Sequence, residues 1–410
     1  PGFSGLITPH DYQARGIGGV YEPEGIVDTC VLRGKYFFCE MDTRTWGEKN
    51  NSIGRARNLR EFEAITWRNF AASFTRGFTS YWMDLYSNWF LAPEMQPVIQ
   101  RQVEVIRESI NWPHETMPGI AMILDDTCYM ETNGNGSYLN EAIMLEWKAG
   151  LARCGVPFRI YLFEDLARAN FPEHRVYYFP NLFRADEQRM ALLREKVFRN
   201  GHVVVWGPGS GISDGQKIGA ASASALTGFQ FEMIPENAQR RILISNFDHP
   251  VTRTLAADTL IGSGLPYGPV LYPTDGTELG LAWAKGGANH IGLAFKSFGA
   301  GATGASAKAA TRGAGDYAAV FTSAVPLPAN LWRELARYAG AHVYLEENEI
   351  IMADSSVVAI HSIKSGRKSI ALPGRFTVVD VVTGETVARR TTSISFDLTA
   401  PETRVFRLVR

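Results

Sequence analysis

The sequence predicts a multidomain α/β protein, and three observations lead to that class. The apolar run "KYFFCE" (residues 35–40), the helical stretch "EFEAITWRNFAASFTRG" (61–77) and the apolar run "FTSYWMDLY" (78–86) form one strand–helix–strand repeat. From Pro118 strand and helix patterns alternate again, as in a doubly wound, flavodoxin-like domain. From residue 345 the chain breaks into short β segments separated by turn signals, as in a small antiparallel sandwich.

Each element has a local cause. In "KYFFCE" the period of two puts Tyr36, Phe38 and Glu40 on one face and Phe37 and Cys39 on the other. Both faces are apolar, as expected of a parallel strand buried on two sides. In the helix that follows, Phe62, Ile65, Phe70 and Phe74 lie near one face, and Gly77 supplies a stop. "GIAMILDD" (119–126) reads as a strand and "SYLNEAIMLEWKAGLARCG" (137–155) as a helix with Leu139, Ile143, Trp147 and Leu151 every four residues. "FRIYLF", "VYYFPN" and "HVVVWG" read as strands, and "ADEQRMALLREKVFRNG" and "NLWRELARYAGAHV" as helices. Residues 208–227 and 299–315 are rich in Gly, Ala and Ser and read as mobile surface loops. "SSVVAIHSI", "KSIALPG", "FTVVDVV", "SISFDL" and "RVFRLVR" supply the closing strands.

Composition narrows the function classes. The 410 residues are long enough for two or three domains, and 45% hydrophobic with 20% charged residues is the balance of a globular chain rather than a disordered one. With 41 basic and 42 acidic residues there is no field to recruit nucleic acid or an anionic membrane. No apolar run reaches a membrane span. Four cysteines, Cys30, Cys39, Cys128 and Cys154, lack CxxC spacing, which supports neither a disulfide framework nor a zinc site. The cytoplasm is the expected compartment, with export left open. The chain opens at Pro1 without a Met, and upstream sequence is expected.

The chemistry concentrates at strand ends. Glu40 closes the first apolar run and is followed by Asp42, Arg44 and Trp46; the next run ends in Trp82 and Asp84. In a (β/α)8 barrel, catalytic groups gather at the C-terminal ends of strands. Aromatic planes beside carboxylates suit sugars, and a carboxylate held ionised by a nearby Arg suits attack on an anomeric carbon. The plainer alternatives are a solvated strand terminus for Glu40 and core positions for Trp46, Trp82 and Trp89.

"GLITPHDYQARGIGGVYEPEGIVDTCVLRGKYFFCEMDTRTW" (5–46) and "RGFTSYWMDLYSNWFLAPEM" (76–95) resemble the seventh and eighth barrel strands of glycoside hydrolase family 42 and its beta-galactosidase-like relatives. The resemblance implies that residues 1–117 are the C-terminal part of a TIM barrel. It implies a glutamine-amidotransferase-like trimerisation domain at 118–344 and a β-sandwich at 345–410. It makes Glu40 the nucleophile of a retaining β-glycosidase acting on β-galactosides or related β-glycosides. Trp82 would line the sugar site, and Tyr12, Arg15, Asp42, Arg44, Trp46, Asp84 and Trp89 would surround it. A homotrimer and a carbohydrate substrate are the implied partners, and no cofactor or metal is expected.

One departure stands out. Retaining hydrolysis needs a second carboxyl group about 5 to 5.5 Å from the nucleophile. In related barrels it belongs to an Asn-Glu pair after the fourth strand, upstream of the nucleophile. Only 39 residues precede Glu40 here, and Asn140-Glu141 lies in the second domain. The acid/base is therefore expected outside this chain, which makes the chain inactive alone. The competing reading is a non-catalytic carbohydrate-binding or oligomerisation module.

Other motifs are weak. "VVVWGPGSGISDG" (203–215) lacks the GKS/GKT ending of a phosphate loop and the Cys of a glutaminase site. HxH, HExxH and GxSxG spacings are missing. Asp125, Asp126 and Glu131 could hold a cation, but a polar strand-to-helix loop is the plainer reading.

Overall fold

The computed structural model describes residues 2–48, 54–85, 88–130, 146–235, 238–239, 241–263, 266–283, 289–299 and 315–410. The chain divides into two compact units. One comprises Pro1–Met117, Gly155–Pro157 and Tyr344–Arg410; the other comprises Pro118–Cys154 and Phe158–Val343. Among the described residues no helix is long and apolar enough to cross a membrane.

In the first unit, β1 (Gly5–Pro9), β2 (Tyr36–Met41) and β3 (Thr79–Trp82) form a three-stranded parallel sheet with β2 in the centre. The register aligns Pro9 with Glu40 and Glu40 with Tyr81. One face of β2, carrying Phe37 and Cys39, is buried with Val27, Cys30, Ala72 and Phe78. The other face is open: Tyr36 is 70% exposed and Ile7, on the neighbouring strand, 62%. The expectation of burial on both sides of β2 therefore holds for one side only in this chain.

Helix α1 (Val27–Leu32) precedes β2, and α2 (Leu59–Arg76) links β2 to β3. Asn58 caps α2, its side chain accepting from the Glu61 N–H at 3.0 Å, and Gly77 ends it at φ 73°, where a side chain would be strained. Nearly all of α2 is buried, more than its apolar stripe implies. Ala72 packs into the core beneath the parallel sheet. Phe62 and Ile65 pack with Val357, Ala359 and Val405 of the C-terminal sheet, and Thr403 Oγ1 donates to the Ala64 carbonyl at 2.5 Å. A helix covered on two sides must also bury polar residues, and it does so with partners. Arg68 donates to the carbonyls of Gly16, Gly19 and Arg15 at 2.6–2.8 Å, which pins the loop after β1. Arg76 joins Glu22 and Asp28 in a buried ion-pair cluster, a favourable place for a cation at a helix C-terminus.

The C-terminal sheet is antiparallel, with strands in the order Ile350–Ala353, Val357–Ser362, Glu402–Val409, Gly366–Asp380 and Thr386–Leu398. A register shift between Ala371 and Phe376 bends the long hairpin. Ile360, Ile370, Phe376, Ile394, Phe396 and Phe406 pack into one core.

The second unit is built on a nine-stranded mixed sheet. β4 (Ile120–Leu124), β5 (Phe158–Leu162), β6 (Val176–Phe179) and β7 (Val203–Trp206) run parallel in the order β5-β4-β6-β7, and Tyr317–Thr322 continues the parallel part. Their unbroken apolar sequences are buried throughout on β4, β6 and β7, as covering on both faces requires. Four antiparallel strands, Asn289–Phe298, Thr277–Trp283, Ile242–Ile244 and Leu260–Ile261, extend the sheet beyond the alternation read from the sequence.

The Gly-rich segment 208–227 is not the mobile loop expected. It contains a helix, Ala220–Thr227, ended by Gly228 at φ 78°, with Ala223 and Leu226 buried. Alanine favours helix, and Gly211 allows a close approach in which a Cβ would meet Ala223 and Leu226 at 2.9 Å. Leu139, Ile143, the Asn140-Glu141 pair, Glu131 and residues 300–314 lie outside the described residues.

Candidate active site

The ends of the parallel strands in the first unit bring together most of the residues that the sequence singled out. Glu40, next to last in β2, is half-buried, and the Tyr81 hydroxyl donates to its Oε1 at 3.0 Å. Parallel register puts Tyr81 beside Glu40, so the two side chains leave the same face of the sheet. Asp42 follows, 2% exposed, with both oxygens engaged: Oδ1 with His10 Nε2 at 2.8 Å and Oδ2 with Arg15 Nη1 at 2.9 Å. The Tyr12 ring lies over Arg15, 4.0 Å from the guanidinium carbon. Arg44 lies over Trp89 at 5.5 Å and reaches Glu48 at 3.7 Å.

The electrostatics divide these groups by role. Burial pushes the Asp42 carboxyl up, but the hydrogen bond to His10 and the charge and hydrogen bond of Arg15 outweigh it, so the group is held below the usual range and stays ionised. Burial lowers His10 despite the Asp42 contact, which keeps the imidazole neutral at pH 7. Burial and the hydrogen bond to Glu40 raise the Tyr81 phenol, so it remains a proton donor. Burial takes the Cys39 thiol to about 12, which makes it inert as a nucleophile.

The remaining sequence candidates are held in structural contacts. Asp84 accepts from the backbone N–H groups of Asn88 at 3.3 Å and Trp89 at 3.0 Å, so its carboxylate caps a turn. Trp82 pairs with Met41, on the alternation opposite to Glu40 and Tyr81. It stacks on Phe62 at 6.0 Å and meets Phe90 edge-on at 4.8 Å. Trp46 also meets Phe62 edge-on, at 6.4 Å. Trp89 is buried, and Thr45 donates to its carbonyl. Sequence reasoning missed Tyr81 and His10. Tyr81 was accessible from strand register; His10 was not, because its tie to Asp42 spans 32 positions and a loop.

The other motifs resolve into structural contacts. Asp125 pairs with Arg189 at 2.8 Å and exchanges hydrogen bonds with Asn181. Among the described residues no group of His, Cys, Asp and Glu has the arrangement of a metal site. In the "GPGSG" turn the N–H groups of Gly207 and Gly211 donate to the carbonyls of Phe179 and Leu182, so neither is free for phosphate.

This architecture, a large mixed sheet with a separate antiparallel sheet and a parallel fragment bearing Glu40, is similar in fold to part of the solved structures of glycoside hydrolase family 42 (GH42) beta-galactosidases. The chain is similar to the solved structure of a catalytic mutant of a GH42 beta-galactosidase from G. stearothermophilus, with TM-score 0.60 and 15% identity over 94% of this chain and 56% of that one. It is also similar to the beta-galactosidases of Rahnella sp. (TM-score 0.59, 9% identity, 91% and 54% covered) and Marinomonas ef1 (0.50, 13%, 92% and 53%). The chain thus spans about half the length of the solved relatives it matches. At such identities the likeness is one of fold alone. No protein-family model matches the chain, and no curated protein sequence matches it.

Proposed function

We propose that this chain is the nucleophile-bearing portion of a retaining β-glycosidase acting on β-galactosides or related β-glycosides. The observation that carries the reading is Glu40: a half-buried carboxylate closing the central parallel strand, with one oxygen steadied by the Tyr81 hydroxyl at 3.0 Å. In this reading Glu40 attacks the anomeric carbon and forms the glycosyl-enzyme, and Tyr81 orients it. Asp42 is unsuited to be the acid/base, since both of its oxygens are bound and it is held ionised. The acid/base then comes from barrel strands outside these 410 residues, and residues 1–117 are the closing part of that barrel. The open apolar face beside Glu40 supports this, because strands of a closed barrel would cover Ile7 and Tyr36.

For residues 118–344 the proposal is a flavodoxin-like, trimer-forming domain, and for 345–410 a sandwich. The parallel strand order, which reads 2-1-3-4-5 through β5, β4, β6, β7 and Tyr317–Thr322, supports the first of these. The proposed sugar contacts are Tyr12, Arg15, Arg44 and Trp89, with Trp46 and Trp82, which pack on Phe62, as weaker candidates because Trp82 leaves its strand on the alternation opposite to Glu40.

The test joins the chain to its upstream coding sequence and measures nitrophenyl β-galactoside hydrolysis. Glu40→Gln keeps the shape and removes the nucleophile, so turnover should fall by about a thousandfold or more while binding persists. Near-normal turnover of the variant would end the assignment of Glu40.

A further inference from the structure

The guanidinium of Arg15 has more donors than its surroundings accept. Nη1 is held by Asp42, but Nε and Nη2 have no hydrogen-bond partner among the described residues, although Arg15 is only 3% exposed. Arg44 Nε is likewise buried and unpartnered. A buried donor left unpaired costs about 1–3 kcal/mol, and native structures keep few of them without a reason. Asp42 is already committed to His10 and Arg15, and Glu40 Oε1 to Tyr81, which leaves Glu40 Oε2 for the reacting carbon of the proposed site. The spare hydrogen-bonding capacity of the Arg15 and Arg44 guanidiniums is all donor. A sugar hydroxyl both donates and accepts, so it matches such a surface only in part. A carboxylate or sulfate only accepts, and its paired oxygens fit a guanidinium fork. The Tyr12 ring covers one face of the Arg15 guanidinium at 4.0 Å and is itself 49% exposed, so its rotation would open that face.

We propose that Arg15, beneath a Tyr12 cover, is the anion-recognising end of this site, and that the sugar it takes carries a carboxylate or a sulfate group. The inference rests on Glu40 and its neighbours being a sugar site, and it narrows the substrate class to acidic sugars. Isothermal titration of the 410-residue chain with methyl β-glucuronide, galacturonic acid, galactose 6-sulfate and methyl β-galactoside, at low and high salt, tests it. Acidic sugars should bind at least about tenfold more tightly than the neutral galactoside, with the gap shrinking at high salt. The uronate and sulfate arms identify which anion the fork prefers.

Arg15→Gln should abolish the preference. Because that change also strips Asp42 of a partner and can impair folding, a second measurement uses the arginine reagent phenylglyoxal. Tyr12→Ala should speed modification of the Arg15 peptide, and an acidic sugar should protect it where methyl β-galactoside does not. Equal affinity for neutral and acidic sugars would overturn the inference while leaving a sugar site in place. Failure of every sugar to bind would overturn both. Inorganic sulfate binding as tightly as the acidic sugars, or acidic sugars failing to protect Arg15, would also overturn it.

Discussion

Glu146 offers a quantitative test of how the second unit is held together. Its carboxyl is fully buried, accepting from the Leu327 N–H at 2.9 and 3.2 Å and from the Trp332 indole at 2.5 Å. Burial raises its pKa to about 8 from 4.5, against the opposing pull of those hydrogen bonds. A carboxyl with a raised pKa stabilises the fold fully below about 4.5, where both folded and unfolded forms are protonated. That contribution falls as pH rises from about 4.5 to 8, because only the unfolded chain ionises, and it levels off above. At about 1.4 kcal/mol per unit the loss at pH 7 is roughly 3 kcal/mol. Glu146→Gln keeps an acceptor for Leu327 and Trp332 but cannot ionise. The variant should come within about 1 kcal/mol of wild type near pH 5 and exceed it by about 4 kcal/mol near pH 7.5, and Glu146→Ala should be less stable than Glu146→Gln throughout because two buried donors lose their acceptor. Urea unfolding followed by tryptophan fluorescence across this range measures the difference. Parallel stability curves for wild type and Glu146→Gln would show that the carboxyl is not neutral in the folded protein.

Two further outcomes are expected. Trp82→Ala removes the ring that stacks on Phe62 and meets Phe90 edge-on, and should cost the first unit about 3 kcal/mol in urea unfolding; unchanged stability with lost sugar affinity would instead make the indole a sugar platform alone. If residues 118–344 form a trimerisation domain, light scattering coupled to gel filtration should give three times the 45.4 kDa chain mass, and a monomer at high concentration would refute that role.

The legible parts of the fold were those written in local pattern. β2, β4, β6 and β7 are short runs of apolar residues, and the cap residues Asn58 and Gly77 mark the ends of α2 in sequence as in space. What was hidden depended on contacts between distant segments. The apolar stripe of α2 does not disclose that the helix is covered on two sides, because its second cover comes from Val357, Ala359 and Val405 nearly 300 positions later. Alternation likewise signals parallel strands joined by helices, but it says nothing of the antiparallel strands between 242 and 298, whose short and broken segments depend on pairing with one another. The segment 208–227 was misread because Gly and Ala were taken together as flexible, whereas the alanines form a helix and the glycines permit its close packing.

At the site itself the sequence supplies two carboxylates two positions apart, and composition cannot rank them. Their surroundings do. Asp42 is buried, paired on both oxygens and held ionised by neighbours that it in turn fixes in place, so it has no oxygen to offer a reacting carbon. Glu40 is half-buried on the open face of the sheet, and Tyr81 engages only its Oε1. A nucleophile needs just that combination of one orienting contact and one reachable oxygen. The Asp42–His10–Arg15 group beside it ties the loop after β1 to the end of β2, so the backbone that presents Glu40 is set by contacts apart from Glu40 itself. In the proposed glycosidase, Glu40 is therefore the carboxylate placed for chemistry, and Asp42 the one that holds the site in shape.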